Sequence, residues 1–426
     1  MHFGETRKPV LFQGLPIETA GIVEAQDETG NTGTSAASVA VGASGSLEET
    51  DGVVVVLTGG TIGTDQILLS LSLDGGVTFK KLRLGTLNSY VIPHVGLTLS
   101  FGAGTLIAGD TALEWHSTAP QWDQAGLTAA RAALANQQKQ VRSVLLVGDL
   151  ELEADADDLV TEMNLLETTN KRFAYARAQI RDIDYASTET IADHLQAMDA
   201  EFADVDAERR VDLAFGRARK TSPVLGYRLR RGAAWAASLR EYQHDVHIPT
   251  WRKADGKLLG WDLEDADGVI VEHNDDPGGL ALAARFTCFR TWPNGPAGTF
   301  IAQSLTRAGD DAALSLTHNM AVANVACSVT QRETENAVGQ SLILNDDGTA
   351  TAEALGQIRE RVQTALQNAL LSDVKGEGPR ASSATWTPAS DDDLSGPNAT
   401  LNGVLALNLR GTIVHINTQV QVGALS

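Results

Sequence analysis

Polar and apolar residues alternate strictly near the C-terminal end of the chain. Leu401, Leu405, Leu407 and Leu409 share one parity, with Asn402, Asn408 and Arg410 on the other. Further on, Val414, Ile416, Val420 and Val422 face one way, and His415, Asn417, Gln419 and Gln421 the other. A period of two is that of a half-buried strand. The parity slips at Gly411, as a turn or bulge makes it do. The pattern predicts a strand pair and arm over 401–426, joined at Arg410-Gly411-Thr412. Residues 401–409 would keep their leucine face on their own core. Ile413, Val414, Ile416, Val420 and Val422 would form an arm able to pair with the sheet of another molecule, with Gly411 as the hinge.

The rest of the chain divides by pattern. Residues 1–24, with Pro9, Gly14, Pro16 and Gly21 among short apolar pieces, read as an extended arm. Residues 29–52 are rich in Gly, Ser, Thr and Ala and read as loop or small strands with wide turns. Strands follow at 53–57, 67–73, 77–84, 97–101 and 111–115, with a hairpin signal at Asp74-Gly75-Gly76. Residues 25–116 are thus expected to form a Gly-rich segment and a small antiparallel β-domain, whose 53–115 part decorates the surface and is dispensable for self-association.

From 117 to 400 the grammar becomes that of an α/β core with a mixed, largely parallel sheet. Helices are expected at 124–140, 155–174, 188–207 and 229–243, and strands at 141–147, 178–183 and 210–215. An irregular stretch, 248–300, precedes helices at 314–338 and 351–372 and a polar loop at 373–398.

At 426 residues the chain exceeds one core and predicts two or three domains. Its net charge of -21 argues against nucleic acid or an anionic membrane as the main partner. No apolar run approaches the roughly 18 residues of a membrane span, so no membrane insertion is expected. Met1 to Lys8 lacks the apolar core of a signal peptide, which points to folding in a cytoplasm. Charge is blocky: 149–158, 199–208 and 262–276 are acidic, and 209–231 is basic. Arg217, Arg219, Lys220, Arg228, Arg230 and Arg231 read either as a solvated face or as a patch meeting an acidic face of another copy.

Candidate chemistry is sparse. Residues 53–63 end in Thr58-Gly59-Gly60-Thr61-Ile62, which resembles the nucleophile motif of bacterial-type asparaginases and would make Thr61 the attacking hydroxyl of an amidohydrolase. The His-Gly-Thr-Asp-Thr string that supplies the base in that family does not occur here. His244 and His247 have a zinc-like spacing, but without HExxH or a second ligand pair they read as a helix end. Gly148 is followed by carboxylates that would repel a phosphate. Cys288 and Cys327 sit in apolar surroundings and read as core residues. No catalytic residue, metal site or cofactor is predicted.

Taken together, several stretches resemble the sheath proteins of contractile phage tails. They are residues 72–79 (Ser-Leu-Asp-Gly-Gly-Val-Thr-Phe), 96–101, 108–111, 210–216 (Arg-Val-Asp-Leu-Ala-Phe-Gly), Ser222-Pro223, 228–235, 298–302 and 411–416. The resemblance implies a structural subunit that polymerises as stacked hexameric rings around a tail tube and contracts to drive the tube through a host envelope. It also implies arms that add strands to neighbouring sheets. The partners would be further copies of the chain, the tail tube protein, and the baseplate and tail terminator proteins. Its place would be the virion, assembled in the host cytoplasm. Another self-assembling virion component is the rival reading, against which the helices between 124 and 372 count.

Overall fold

The structure is a computed structural model of the chain, and the residues described are 20–42, 45–137, 140–150, 152–181, 190–203, 208–263, 279–292, 297–309, 313–373, 376–396 and 399–411. The arm residues Ile413, Val414, Ile416, Val420 and Val422, and most of the 1–24 arm, lie outside them.

The first half of the chain is antiparallel β. In order, its strands are β1 (Val23–Asp27), β2 (Ala37–Val41), β3 (Thr50–Thr58), β4 (Gly60–Thr61), β5 (Ile67–Ser72), β6 (Lys80–Gly85), β7 (Ser89–Ile92), β8 (Leu97–Phe101), β9 (Thr105–Leu106) and β10 (Thr111–Ser117). They form a five-stranded sheet, β1-β10-β3-β5-β6, a three-stranded sheet, β2-β8-β7, and the short pair β4-β9. Alternation explains β3 and β8: Val54, Val56, Leu97, Leu99 and Phe101 are buried in one apolar cluster between the sheets. The turn at Asp74 is held by its own side chain, which accepts from Ser72 Oγ and the Thr78 N–H, and Gly75 and Gly76 supply the positive φ. β2 is one of the small strands expected over 29–52, and β7 is a further strand, between those expected at 77–84 and 97–101, too short to show a pattern. Between the sheets, Gln26 of β1 uses its amide as a strand would. Its Nε2 donates to the Val39 carbonyl and its Oε1 accepts from the Val39 N–H, both at 2.9 Å.

The α/β core follows: α1 (Gln124–Ala135), β11 (Ser143–Leu150), α2 (Glu153–Thr168), β12 (Tyr175–Ile180), α3 (Ile191–Glu201) and β13 (Val211–Ala214). β11, β12 and β13 pair in parallel and in sequence order, the alternation of strand and helix that the sequence predicts. A parallel bridge from Ala214 to Thr287 continues the layer. Asp123 caps α1 and Thr190 caps α3, each side chain accepting an N–H of the first turn.

Beyond β13 the expected helix over 229–243 is partly corrected. Residues Arg217–Thr221 (β14) and Arg228–Gly232 (β15) form an antiparallel hairpin, and α4 covers only Ala233–Gln243. Arginine-rich strands carry no apolar alternation, so the hairpin is silent in the sequence. Short elements come next: β16 (Trp261–Asp262), which extends the hairpin sheet, α5 (Leu280–Ala283), β17 (Phe289–Arg290) and β18 (Phe300–Ile301).

The C-terminal unit consists of α6 (Thr317–Glu335), α7 (Ala352–Leu366) with a π-helical turn at Gln367–Leu371, β19 (Ala381–Pro388) and β20 (Gly403–Leu409). Here the expected polar loop over 373–398 is overturned, because it contains β19. Among the described residues the strand partner of β20 is β19. Ala381, Ala384 and Trp386 are its only buried apolar side chains, and a bulge between Ala381 and Ser383 breaks their parity.

Candidate functional site

The two-stranded sheet β19-β20 is the feature that bears most directly on function. One face is held by Ala381, Ala384 and Trp386 with the leucines 401, 405, 407 and 409, packed on the cluster between α6 and α7. The leucine face therefore stays on its own core, as its pattern predicts. Trp386 lies over Gly403, where a Cβ would stand 2.5 Å from the indole, so only glycine lets the strands close there. The opposite face, with Ser382, Thr385, Thr387, Val404, Ala406 and Asn408, is bare; Val404 is 71% exposed.

Among the described residues β20 has no strand on its outer edge, and Gly403–Leu409 contains no charge and no proline. An edge of this kind is a template for strand addition. On β19 one acceptor, the Ala384 carbonyl, is occupied by the Gln363 side chain of α7 at 2.8 Å. Two edges of the β-domain are guarded, although its edge strand β7, Ser89–Ile92, is as uncharged as β20. β6 carries Lys80, Lys81 and Arg83, and the edge strand β2 is met at Val39 by Gln26. Past β20, Arg410 donates to the carbonyls of Pro379 (2.8 Å) and Glu377 (3.2 Å). Gly411, the expected hinge, is exposed, with open space where a Cβ would stand.

The basic run lies at a seam within the chain, and none of its six named side chains is exposed. Arg217 contacts Glu49 and Asp149, Arg231 reaches Glu48 at 2.8 Å, and Arg230 stands 3.9 Å from Asp51. Arg219 donates to the Asp74 carbonyl at 2.7 Å, Arg228 pairs with Asp262 at 2.7 Å, and Lys220 donates to the Leu259 carbonyl at 3.2 Å. The acidic run Glu48-Glu49-Thr50-Asp51 opening β3 thus meets the β14-β15 hairpin. Asp51 also binds His116 of β10 at 2.8 Å, and that bond raises the imidazole above its ordinary range against the opposing effect of burial. Apolar contact joins in, since Tyr227 and Leu229 of the hairpin are buried in the β-domain cluster.

Beneath α4 lies a buried ionic network that the sequence reading passes over. Arg177, fully buried on β12, donates to Asp212 (2.5 Å), Glu241 (3.1 Å), Ser304 (2.9 Å), Ser238 (3.2 Å) and the Tyr175 hydroxyl (3.3 Å). Asp212 also accepts from Thr287, and Arg142 pairs with Glu241 at 2.7 Å. Two cations face two anions drawn from β12, β13, α4 and the segments of Arg142, Thr287 and Ser304, so the network fixes how sheet, helix and loops are stacked. Burial pushes the Asp212 carboxyl up, against the pull of Arg177. The available signal was a charge inside each of two apolar strands, Tyr175-Ala176-Arg177-Ala178 and Val211-Asp212-Leu213. A charge so placed has to be paired.

A second polar joint links α4 to β19. Arg380 forks onto Asp245 at 2.7 and 2.8 Å. Burial raises this carboxyl, but its bonds to Arg380 and His247 outweigh that and hold it well below the usual carboxylate range. A carboxyl depressed on folding contributes stability above its unfolded pKa and loses it as pH falls through the folded value. Acidification below about pH 5 is therefore expected to loosen this joint. In denaturation, Asp245→Asn should lower the midpoint at neutral pH and flatten the acid limb; an acid limb unchanged by the substitution would remove the pair from the explanation.

The other sequence candidates are placed as follows. Thr61 is exposed in the short pair β4-β9, and its N–H donates to Asp65 at 2.7 Å. His244 faces Asp255, and His247 faces Asp245 and Glu377; among the described residues no three metal-ligating side chains converge. Cys288 is buried and Cys327 half-buried, and among the described residues neither forms a disulfide. No helix among the described residues is long and apolar enough to cross a membrane.

No protein-family model matches the chain, and no curated protein does. Among solved structures, a chain of the anti-feeding prophage baseplate is similar over 72% of this chain and 76% of its own, at 10% identity and a TM-score of 0.44. The sheath tail protein of Listeria innocua is similar over 88% of this chain and 82% of its own, at 11% identity and a TM-score of 0.36. At such scores the chain paths coincide only in part, and both stand as likenesses.

Proposed function

We propose that the chain is a structural subunit of a contractile tail sheath, polymerising as stacked hexameric rings around a tail tube. The observation that carries the reading is the outer edge of β20, uncharged and, among the described residues, without a partner strand. In this reading the 413–422 segment of one subunit adds to the sheet of another, with Gly411 as the hinge. Each backbone hydrogen bond of such a link adds about 0.5–1.5 kcal/mol net, and several per subunit give a mesh that holds while weaker polar faces exchange partners during contraction. Tail tube, baseplate and tail terminator proteins are the other partners, and the virion tail is the place of action. The resemblance of residues 210–216 and 228–235 to sheath proteins supports the same reading.

Electron microscopy of the purified chain is expected to reveal tubes or stacked rings. Deleting 411–426 should leave folded monomers that no longer polymerise, with an unchanged thermal midpoint. Tubes formed by the truncated chain would refute the arm, and a full-length chain that stays monomeric at high concentration would refute the sheath reading.

A further inference from the structure

Three parts of the molecule meet at the turn Gly376-Glu377-Gly378-Pro379, whose two glycines have φ of +80° and +83°. The Glu377 carboxylate takes Arg252 at 2.7 and 3.3 Å. The Glu377 carbonyl accepts twice, from His247 Nε2 at 3.3 Å and from Arg410 Nη1 at 3.2 Å. Arg410 also reaches the Pro379 carbonyl, and the next residue, Arg380, forks onto Asp245. The turn is therefore bonded on one side to the segment following α4 and on the other to the end of β20.

His247 is 7% exposed, and its Nδ1 stands 3.3 Å from Asp245 Oδ1. Its two ring nitrogens thus face an ionised carboxylate and a carbonyl, neither of which has a proton to give. A neutral imidazole has one N–H and can serve only one of these acceptors; the imidazolium serves both. The charged groups around the ring are Asp245 itself, Arg380 bound to it, and Glu377 and Arg252 across the turn. His318 of α6 also acts on this corner, and burial, with His247 adding to it, pushes His318 down to about 4, so that it stays neutral.

We propose that His247 is a proton-operated latch: doubly protonated, it adds a tie between the 376–379 turn and the segment after α4, and on losing a proton it gives up one of its two bonds and loosens the turn that Arg410 joins to the end of β20. Acid closes the latch and alkali opens it. The proposal does not depend on strand addition, because it is read on the isolated full-length chain.

Hydrogen exchange over a pH series tests it, with each amide rate divided by its intrinsic rate at that pH. Protection of the amides of 376–380 and 405–411 should fall about fivefold as the ring deprotonates, in step with its titration followed by proton NMR. In His247→Gln the protection should be low and independent of pH. Arg410→Gln should keep the pH dependence at 376–380 and lose it at 405–411. A flat wild-type profile overturns the latch whatever the variants do, and equal pH dependence in wild type and His247→Gln overturns it as well. An unchanged profile at 405–411 in Arg410→Gln overturns the coupling to β20.

Discussion

Replacing Arg177 with methionine is expected to destabilise the protein by about 3–5 kcal/mol. Methionine fills much of the same volume, so the loss comes from what is left behind: Asp212 and Glu241, buried together with one cation fewer. Two further results should accompany it. Acidification from neutrality should recover part of the loss, because protonating Asp212 removes the uncompensated charge. Combining Arg177→Met with Asp212→Asn should cost less than the sum of the two single changes, since they share one network. Chemical denaturation with a midpoint and slope at several pH values measures all three, and a loss for Arg177→Met below about 1 kcal/mol would show that the network contributes no more than a surface ion pair.

Leu229→Ala is expected to cost about 2–4 kcal/mol and to exert that cost in the β-domain, more than a hundred positions away in the chain. Leu229 is 1% exposed and belongs, with Tyr227, to the cluster formed by β3, β5 and β8. Tyr227 adds a hydrogen bond to the Leu71 carbonyl at 3.2 Å. The sequence boundary at residue 116 thus leaves two core residues of the β-domain on the far side. Excising 53–115 would bare both, so the expectation that this domain is a detachable decoration has to include them. In hydrogen exchange, Leu229→Ala should lower protection in β3 and β5 more than in β11 and β12; loss spread evenly over both, or confined to the hairpin, would mean that the hairpin does not close the β-domain core.

What could be read in advance follows from how each element is stabilised. β3 and β8 bury apolar side chains at every second position, and periodicity finds them; β11 and β12 show instead as short apolar runs between helices, with β12 starting three residues before the expected 178. β14 and β15 are stabilised by arginines that meet Glu48, Glu49 and Asp51 from a segment some 170 positions earlier, which no local pattern records. β19 escaped for a different reason: it buries two alanines and a tryptophan across a bulge, too little apolar surface at too irregular a spacing. The leucine face of β20 was legible, but its partner β19 was not, because β19 carries no alternation of its own. The blocky charge was visible, and its use within the chain was not. Sequence alone does not say whether opposite blocks meet in one molecule or between two.

In the proposed assembly the outer edge of β20, uncovered among the described residues, has a consequence for timing. A subunit that exposes such an edge as soon as it folds is sticky from birth, and its solubility while waiting must come from elsewhere. The surplus of 54 acidic over 33 basic residues supplies it. At physiological ionic strength the mutual repulsion fades beyond about 8 Å, so it slows random encounters while adding little once two copies are docked over a large area. Colloidal repulsion of this kind makes starting a polymer slow and extending one fast, which favours a few long assemblies begun on a template over many short ones begun anywhere.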